Sequence, residues 1–196
     1  MTSGAASPSE ATRQAKAALR QAILARRDAA DVATRSRNSQ TITQKLCALP
    51  EYRAADVVAA YASFGSELDT SEFLVRILAD GKQLVLPRIN RAQRVLELRQ
   101  VDDLDADLVA GVWGIREPAE RCAILSPSAV EFMLVPGVAF TASGARLGYG
   151  GGFYDRLLAS FDRRVARIAA AFDLQMVDQL PEGPRDQRVD RVITEK

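Results

Sequence analysis

Four glycines within five residues, Gly148, Gly150, Gly151 and Gly152, lie in the stretch RLGYGGGFYDR, between an apolar run (EFMLVPGVAF) and a helical pattern (FYDRLLASF). A strand that ends in a glycine-rich turn and then opens a helix aims several backbone N–H groups at one point, with the positive end of the helix dipole behind them. Residues without a Cβ let consecutive amides curl into an anion-binding nest. Arg146 and Arg156 bracket the turn with positive charge, and Asp155, in the first helical turn, is placed to hold a magnesium ion against the same phosphates. The stretch is not a Walker A loop, because no Gly-Lys-Ser/Thr follows. Nor is it a GxGxxG dinucleotide fingerprint, because Phe153 stands where that pattern would close. A phosphate cradle is the reading this supports; the plainer alternative is a flexible turn with incidental charges.

Strands and helices alternate through the rest of the chain. Residues 1–9 (MTSGAASPS) read as a disordered tail, and residues 10–196 as one domain without internal repeat or linker. From Glu10 to about Ala29, Ala11, Ala15, Leu19, Ala22 and Ile23 recur at helical spacing, while Lys16 and Arg20, four apart, project from one face. Such a pair alone fits a solvated basic face as well as a ligand site. A second helix is expected over Val32 to Leu49, with Ile42, Leu46 and Leu49 inward. VVAAYA reads as a short buried strand and EFLVRILADG as an amphipathic helix, capped by Asp69 or Thr70 and ended by Gly81. QLVLPRI follows as a second strand, stopped by Pro87. That βαβ unit implies parallel pairing, and it sets Glu67 in a loop at a strand's C-terminal end, where open α/β sheets bind ligands. Position alone favours an ordinary solvent-facing carboxylate for Glu67.

RVLELRQV reads as a half-exposed strand, FMLVPG and RVARIAAAF as further strands, and RVDRVITE as a closing one. Together these elements predict an α/β fold, a single three-layer domain with a mostly parallel central sheet and helices on both faces, Rossmann-like.

Histidine is absent from all 196 residues, which removes Ser-His-Asp and Cys-His nucleophiles and the usual zinc-hydrolase sites. Any chemistry must run on phosphate activation, carboxylates and positive charge. The net charge of +1 gives no case for nucleic-acid or membrane partners. No apolar run approaches the ~20 residues of a membrane span, and the N-terminus lacks a signal-peptide pattern, so a cytoplasmic protein is expected. Cys47 and Cys122 lie in no metal-like spacing and read as free thiols.

RLGYGGGFYD resembles the signature loop of the 5-formyltetrahydrofolate cyclo-ligases, also called 5,10-methenyltetrahydrofolate synthetases, which read R-x-G-x-G-x-G-Y/F-Y-D. KAALR is similar to that family's N-terminal K-x-x-L-R, SFGSELDT to its S-x-x-x-E-[ILV]-[DE]-T run, GVWGIREP to its G-I/L-x-E-P segment, and RVDRV to its V-D-x-V/I. The resemblance implies ATP-dependent conversion of 5-formyltetrahydrofolate to 5,10-methenyltetrahydrofolate, with ADP and phosphate released. A formyl oxygen is a poor leaving group, and its phosphorylation lets the neighbouring folate nitrogen close the ring. Lys16, Arg20 and Arg146 are then the catalytic cations, and they bind ATP together with Gly148, Tyr149, Gly150, Gly151, Gly152, Phe153 and Tyr154. Glu67, Trp113, Tyr149 and Phe153 would meet the folate, although a lone tryptophan is more often a core residue than a ligand platform. Asp155 and Asp190 would hold Mg2+. Reduced folate and ATP are the implied partners, and a monomer is expected. On this reading Arg146→Ala removes chemistry and leaves the fold intact. One departure stands out: where the family often has a His-Asp pair before the aspartate matching Asp190, this chain has Pro184, Arg185 and Asp186.

The rival reading is a non-catalytic nucleotide or sugar-phosphate binding domain, which would use the glycine loop without chemistry. Glu67, Asp155 and the Lys16/Arg20 pair discriminate, since a sensor has no reason to keep a metal carboxylate beside the nest and a substrate glutamate across from it. An NAD-dependent enzyme is disfavoured by the missing fingerprint.

Overall fold

A computed structural model describes residues 9–111, 114–162 and 164–196. Residues 1–8 of the expected 1–9 tail, and Trp113, lie outside the described residues, whereas Ser9, the last residue of that tail, caps the first helix. The helices are α1 (Glu10–Ala29), α2 (Val32–Ala48), α3 (Pro50–Ala54), α4 (Ser71–Ala79) and α5 (Phe153–Ala159). The strands are β1 (Val57–Ala59), β2 (Gln83–Asn90), β3 (Val95–Val101), β4 (Leu108–Ala110), β5 (Arg116–Pro118), β6 (Ile124–Leu125), β7 (Phe132–Val135), β8 (Ala139–Phe140), β9 (Arg146–Leu147), β10 (Ala166–Ala170) and β11 (Arg191–Ile193).

Seven strands form the main sheet in the order β11-β10-β7-β1-β2-β3-β6. Pairing is parallel from β11 through β2, and antiparallel where β3 and β6 extend the β2 edge. The apolar runs explain the layers. Along β7, Phe132 and Leu134 face α2, α3 and α4, while Met133 and Val135 face α5, and all four are fully buried. A strand covered on both faces has no use for alternation, which is why it reads as a continuous apolar run. Each such side chain contributes roughly 1.5–3 kcal/mol by leaving water. The expected mostly parallel α/β sheet with helices on both faces is what the chain forms.

Three expectations change. Strand β2 does not stop at Pro87 but runs through it to Asn90. The Val85 carbonyl accepts the Ala60 amide, so Pro87, two residues on, presents its missing N–H to the side that β1 has already vacated, and no ladder bond is lost. The glycine stretch does not leave a main-sheet strand directly. After β7 the chain makes a small antiparallel hairpin of β8 and β9, and the glycines follow β9. Helix α1 buries Lys16, Ile23 and Arg27, whereas Ala11, Ala15 and Ala22 are exposed. Its inward stripe is cationic because it packs by Ile23 against the hairpin residues Val138, Ala139 and Leu147, beside the strands' C-terminal ends. A helix buried in the core would need an apolar stripe there instead.

Candidate active site

Strands β1 and β7 are neighbours whose following segments diverge, one to α4 and the other to the hairpin and α5. In open α/β sheets this reversal of direction leaves a crevice at the strands' C-terminal ends. A cleft of 1140 Å³ lies there. One part of its wall is basic and backbone-rich: Lys16 and Arg20 from α1, Arg146, the glycine loop, Asp155 and Asp186. Another is apolar: Tyr61, Pro87, Ile89, Leu96 and Ile115, with Glu67 and Glu117 as its carboxylates.

Arg146 anchors the basic part. Its side chain is 2% exposed, and it donates from Nη2 to Asp155 at 2.5 Å and from Nη1 to the Pro136 carbonyl at 3.2 Å. Its Nε is buried without a partner among the described residues. The loop lies close over it: a Cβ at Gly148 would meet Arg146 Nη1 at 2.8 Å, so a larger residue there would displace the buried guanidinium. Gly150 has φ +102°, a conformation that side chains rarely adopt, and Gly152 is the N-cap of α5. Arg20 reaches the loop through a 2.7 Å bond from Nε to the Gly148 carbonyl. Burial lowers the Arg20 pKa, and the nearby Asp186 charge opposes that shift.

Lys16 pairs with Asp186 Oδ2, which also accepts the Gly183 amide at 2.7 Å. The Gln187 amide reaches Asp155 Oδ1 at 3.2 Å, so the segment after Pro184 closes this side of the cleft. Asp186 was not singled out by the sequence for a ligand role, yet it stands beside Lys16. Asp190 does not come to the cleft. It is exposed, and its carboxylate caps the Arg167 amide at 2.7 Å, at the start of β10 and so at the opposite end of the sheet. The expected Asp155–Asp190 pair is therefore not assembled: β11 runs parallel to β10, so the residue just before it belongs to the N-terminal edge.

The glycine loop faces Glu67 directly. Tyr149 Oη donates to Glu67 Oε1 at 2.5 Å and accepts from Arg27 Nη2 at 3.0 Å. The Phe64 amide takes Glu67 Oε2 at 3.1 Å, and Arg27 Nε bonds Ser66 Oγ at 3.0 Å. Phe64 and Tyr149 rings lie 5.6 Å apart, tilted. Arg27 was missed by the sequence reading although it continues the Lys16, Arg20 and Ile23 face by one further turn. Phe153 lies under the Arg156 guanidinium at 4.9 Å, and Tyr154 lines the cleft with its phenol pKa raised by burial and by the Glu67 charge.

Burial pushes the Glu67 carboxyl above its ordinary 4.5, against the opposing bonds from Tyr149 and Phe64 and the Arg27 charge. A raised folded-state value favours folding at pH below the unfolded value, and that advantage is lost as pH rises through the folded value. Chemical denaturation of Glu67→Gln and the native protein should therefore show the balance moving towards the glutamine form as pH climbs from about 4 to 7. A constant difference across that range would contradict the desolvated carboxylate.

A model of the 5-formyltetrahydrofolate cyclo-ligase family matches residues 12–195. The chain is 32% identical to a 5-formyltetrahydrofolate cyclo-ligase of Mycolicibacterium smegmatis, with 93% of this chain and 95% of that one covered. The solved structure of the Aquifex aeolicus 5,10-methenyltetrahydrofolate synthetase superposes with a TM-score of 0.82 at 34% identity, covering 92% of this chain and 90% of that one. A Mycoplasma pneumoniae 5,10-methenyltetrahydrofolate synthetase gives 0.75 at 25% identity, covering 92% and 99%.

Proposed function

The chain belongs to the 5-formyltetrahydrofolate cyclo-ligase family, and from that premise we propose that its cleft holds ATP against the basic wall and the reduced folate against the apolar one. On this reading the protein is a ligase that uses ATP to convert 5-formyltetrahydrofolate to 5,10-methenyltetrahydrofolate, the reaction of the family it belongs to. ATP supplies a γ-phosphoryl group that makes the formyl oxygen a leaving group, and the neighbouring folate nitrogen then forms the new C–N bond.

Phosphoryl transfer asks for positioning and charge neutralisation rather than covalent help from the protein. Lys16 and Arg20 clamp the phosphates from one side, and the amides of Gly148 to Gly152 cradle them from the other. Arg146 sits beneath the loop, where it holds Asp155 and adds positive charge. Mg2+ is commonly bound by one or two carboxylates together with phosphate oxygens and waters. The donor set fits, since among the described residues the protein bonds of Asp155 fall on Oδ1, from Arg146 and the Gln187 amide, and those of Asp186 on Oδ2, from Lys16 and the Gly183 amide. Those two residues, rather than Asp155 with Asp190, would hold the ion. Glu67 would meet the folate near its reacting nitrogens. This reading carries with it a cytoplasmic monomer whose partners are small molecules alone.

The observation that carries it is the Tyr149–Glu67 bond, which brings the phosphate loop and the candidate folate carboxylate to one point. Incubation with 5-formyltetrahydrofolate and ATP-Mg should give methenyl-folate absorbance and an equal release of ADP that requires the folate. ATP binding without either product would favour the non-catalytic phosphate-binding domain.

A further inference from the structure

We propose that Glu117 reads the pterin ring of the folate, its carboxylate accepting from the ring N–H and the 2-amino group that lie side by side on the pyrimidine edge. The assignment rests on the reading of this cleft as the folate site. Glu117 is the central residue of β5, whose hairpin with β4 packs on β2, with Arg88 Nη1 bonding the Pro118 carbonyl at 2.6 Å. The residue is only 7% exposed, yet it lines the cleft in the company of Pro87, Ile89, Leu96 and Ile115. A carboxylate seldom sits in such surroundings without a partner.

Among the described residues no side chain donates a hydrogen bond to it; its support is the Ile89 amide and the field of Arg88 and Arg91. Glu67 differs, because Tyr149 and the Phe64 amide already occupy its two oxygens. Of the two buried carboxylates in the cleft, Glu67 has a protein donor on each oxygen, whereas Glu117 has the Ile89 amide and keeps acceptor capacity for a ligand.

Its position is fixed from behind. A Cβ at Gly111 would come within 2.6 Å of Glu117 Cδ, so the carboxyl lies against bare backbone. Arg88, Arg91 and Arg99 line a second cavity of 490 Å³ that shares Ile89 and Glu117 with the cleft. The carboxylate thus stands in a partition, with a polar cavity of arginines and their partners Glu97 and Glu120 on one side and an apolar slot on the other. A flat bicyclic ring fills such a slot through its faces, and its one edge of paired donors requires an acceptor with two oxygens. A site built to bond a donor rejects an analogue that lacks it, because the buried acceptor is then left unpaired.

The test compares binding by the full-length native protein, Glu117→Leu and Glu117→Gln, titrated calorimetrically with 5-formyltetrahydrofolate, with its 2-desamino-2-methyl analogue, and with ATP. Glu117→Leu should weaken folate binding by roughly 30- to 100-fold, and Glu117→Gln, which keeps one acceptor and the residue's shape, by about tenfold. ATP affinity should stay within about twofold in both, which reports an intact fold. The analogue, which keeps the ring N–H but lacks the 2-amino donor, should bind the native protein weakly and lose clearly less affinity than the folate does in Glu117→Leu, a pattern that a purely structural glutamate would not produce. Equal losses for folate and analogue, or unchanged folate affinity in Glu117→Gln, would overturn the assignment. Native protein that binds ATP but no folate would instead overturn the reading of the cleft, and this assignment with it.

Discussion

Arg146→Ala is expected to lower kcat by on the order of 10²–10³-fold, the usual effect of removing one preorganised donor from a site where charge develops. The same change should destabilise the protein by about 2–3 kcal/mol, since it strands a partner of a buried ion pair and empties packed volume. Both effects come from one geometry. The guanidinium is 2% exposed, ties the Pro136 carbonyl at the end of β7 to Asp155 on α5, and packs close to both Gly137 and Gly148. From the sequence Arg146 is a removable charge whose loss leaves the fold intact; its burial in the structure corrects that. Arg146→Lys keeps the charge but loses the planar fork, so it should recover less activity than charge alone would give. Steady-state kinetics beside denaturant titration separate the two losses. A variant melting like the native protein, with kcat within about threefold, would remove Arg146 from both roles.

The glycine loop was legible because its signal is local. Glycines, flanking arginines and a following helix are adjacent in the chain, and their purpose follows from backbone geometry alone. The parallel sheet was legible for a similar reason, as continuous apolar runs separated by helical stretches. What escaped was set by neighbours far along the chain. The helical spacing of Ala11, Ala15, Leu19, Ala22 and Ile23 marks α1 as a helix but not which side faces in; α1 packs beside a polar cleft, so Lys16 and Arg27 turn inward and Ala11, Ala15 and Ala22 face out. Arg27 carries no motif of its own; its role comes from Ser66 and Tyr149, 39 and 122 positions away. Pro87 would end a strand flanked on both sides, and only the early end of β1 removes the conflict. Asp190 matched a family pattern by sequence, yet its register beside β10 carries it to the wrong end of the sheet, and Asp186, four residues earlier, reaches the cleft in its place.

That last exchange separates three aspartates by experiment. Asp155→Asn should raise the Mg2+ concentration for half-maximal activity by about tenfold or more, since a neutral amide is a poor ligand for a hard cation. It should also reduce stability by about 2 kcal/mol, because Arg146 would be left buried without its counter-charge while Asp155 itself, 24% exposed, contributes less than a fully buried partner. Asp186→Asn should shift the Mg2+ titration in the same direction and raise the KM for ATP besides, because Lys16 loses the carboxylate that orients it. Asp190→Asn should leave the Mg2+ titration where it is, since that side chain takes the Arg167 amide at the far edge of the sheet. The decisive comparison is Asp186 against Asp190. If the Mg2+ requirement moves with Asp190 and not with Asp186, the metal lies outside the cleft described here, and the loop, the lysine and the paired carboxylates must be assigned to phosphate positioning alone.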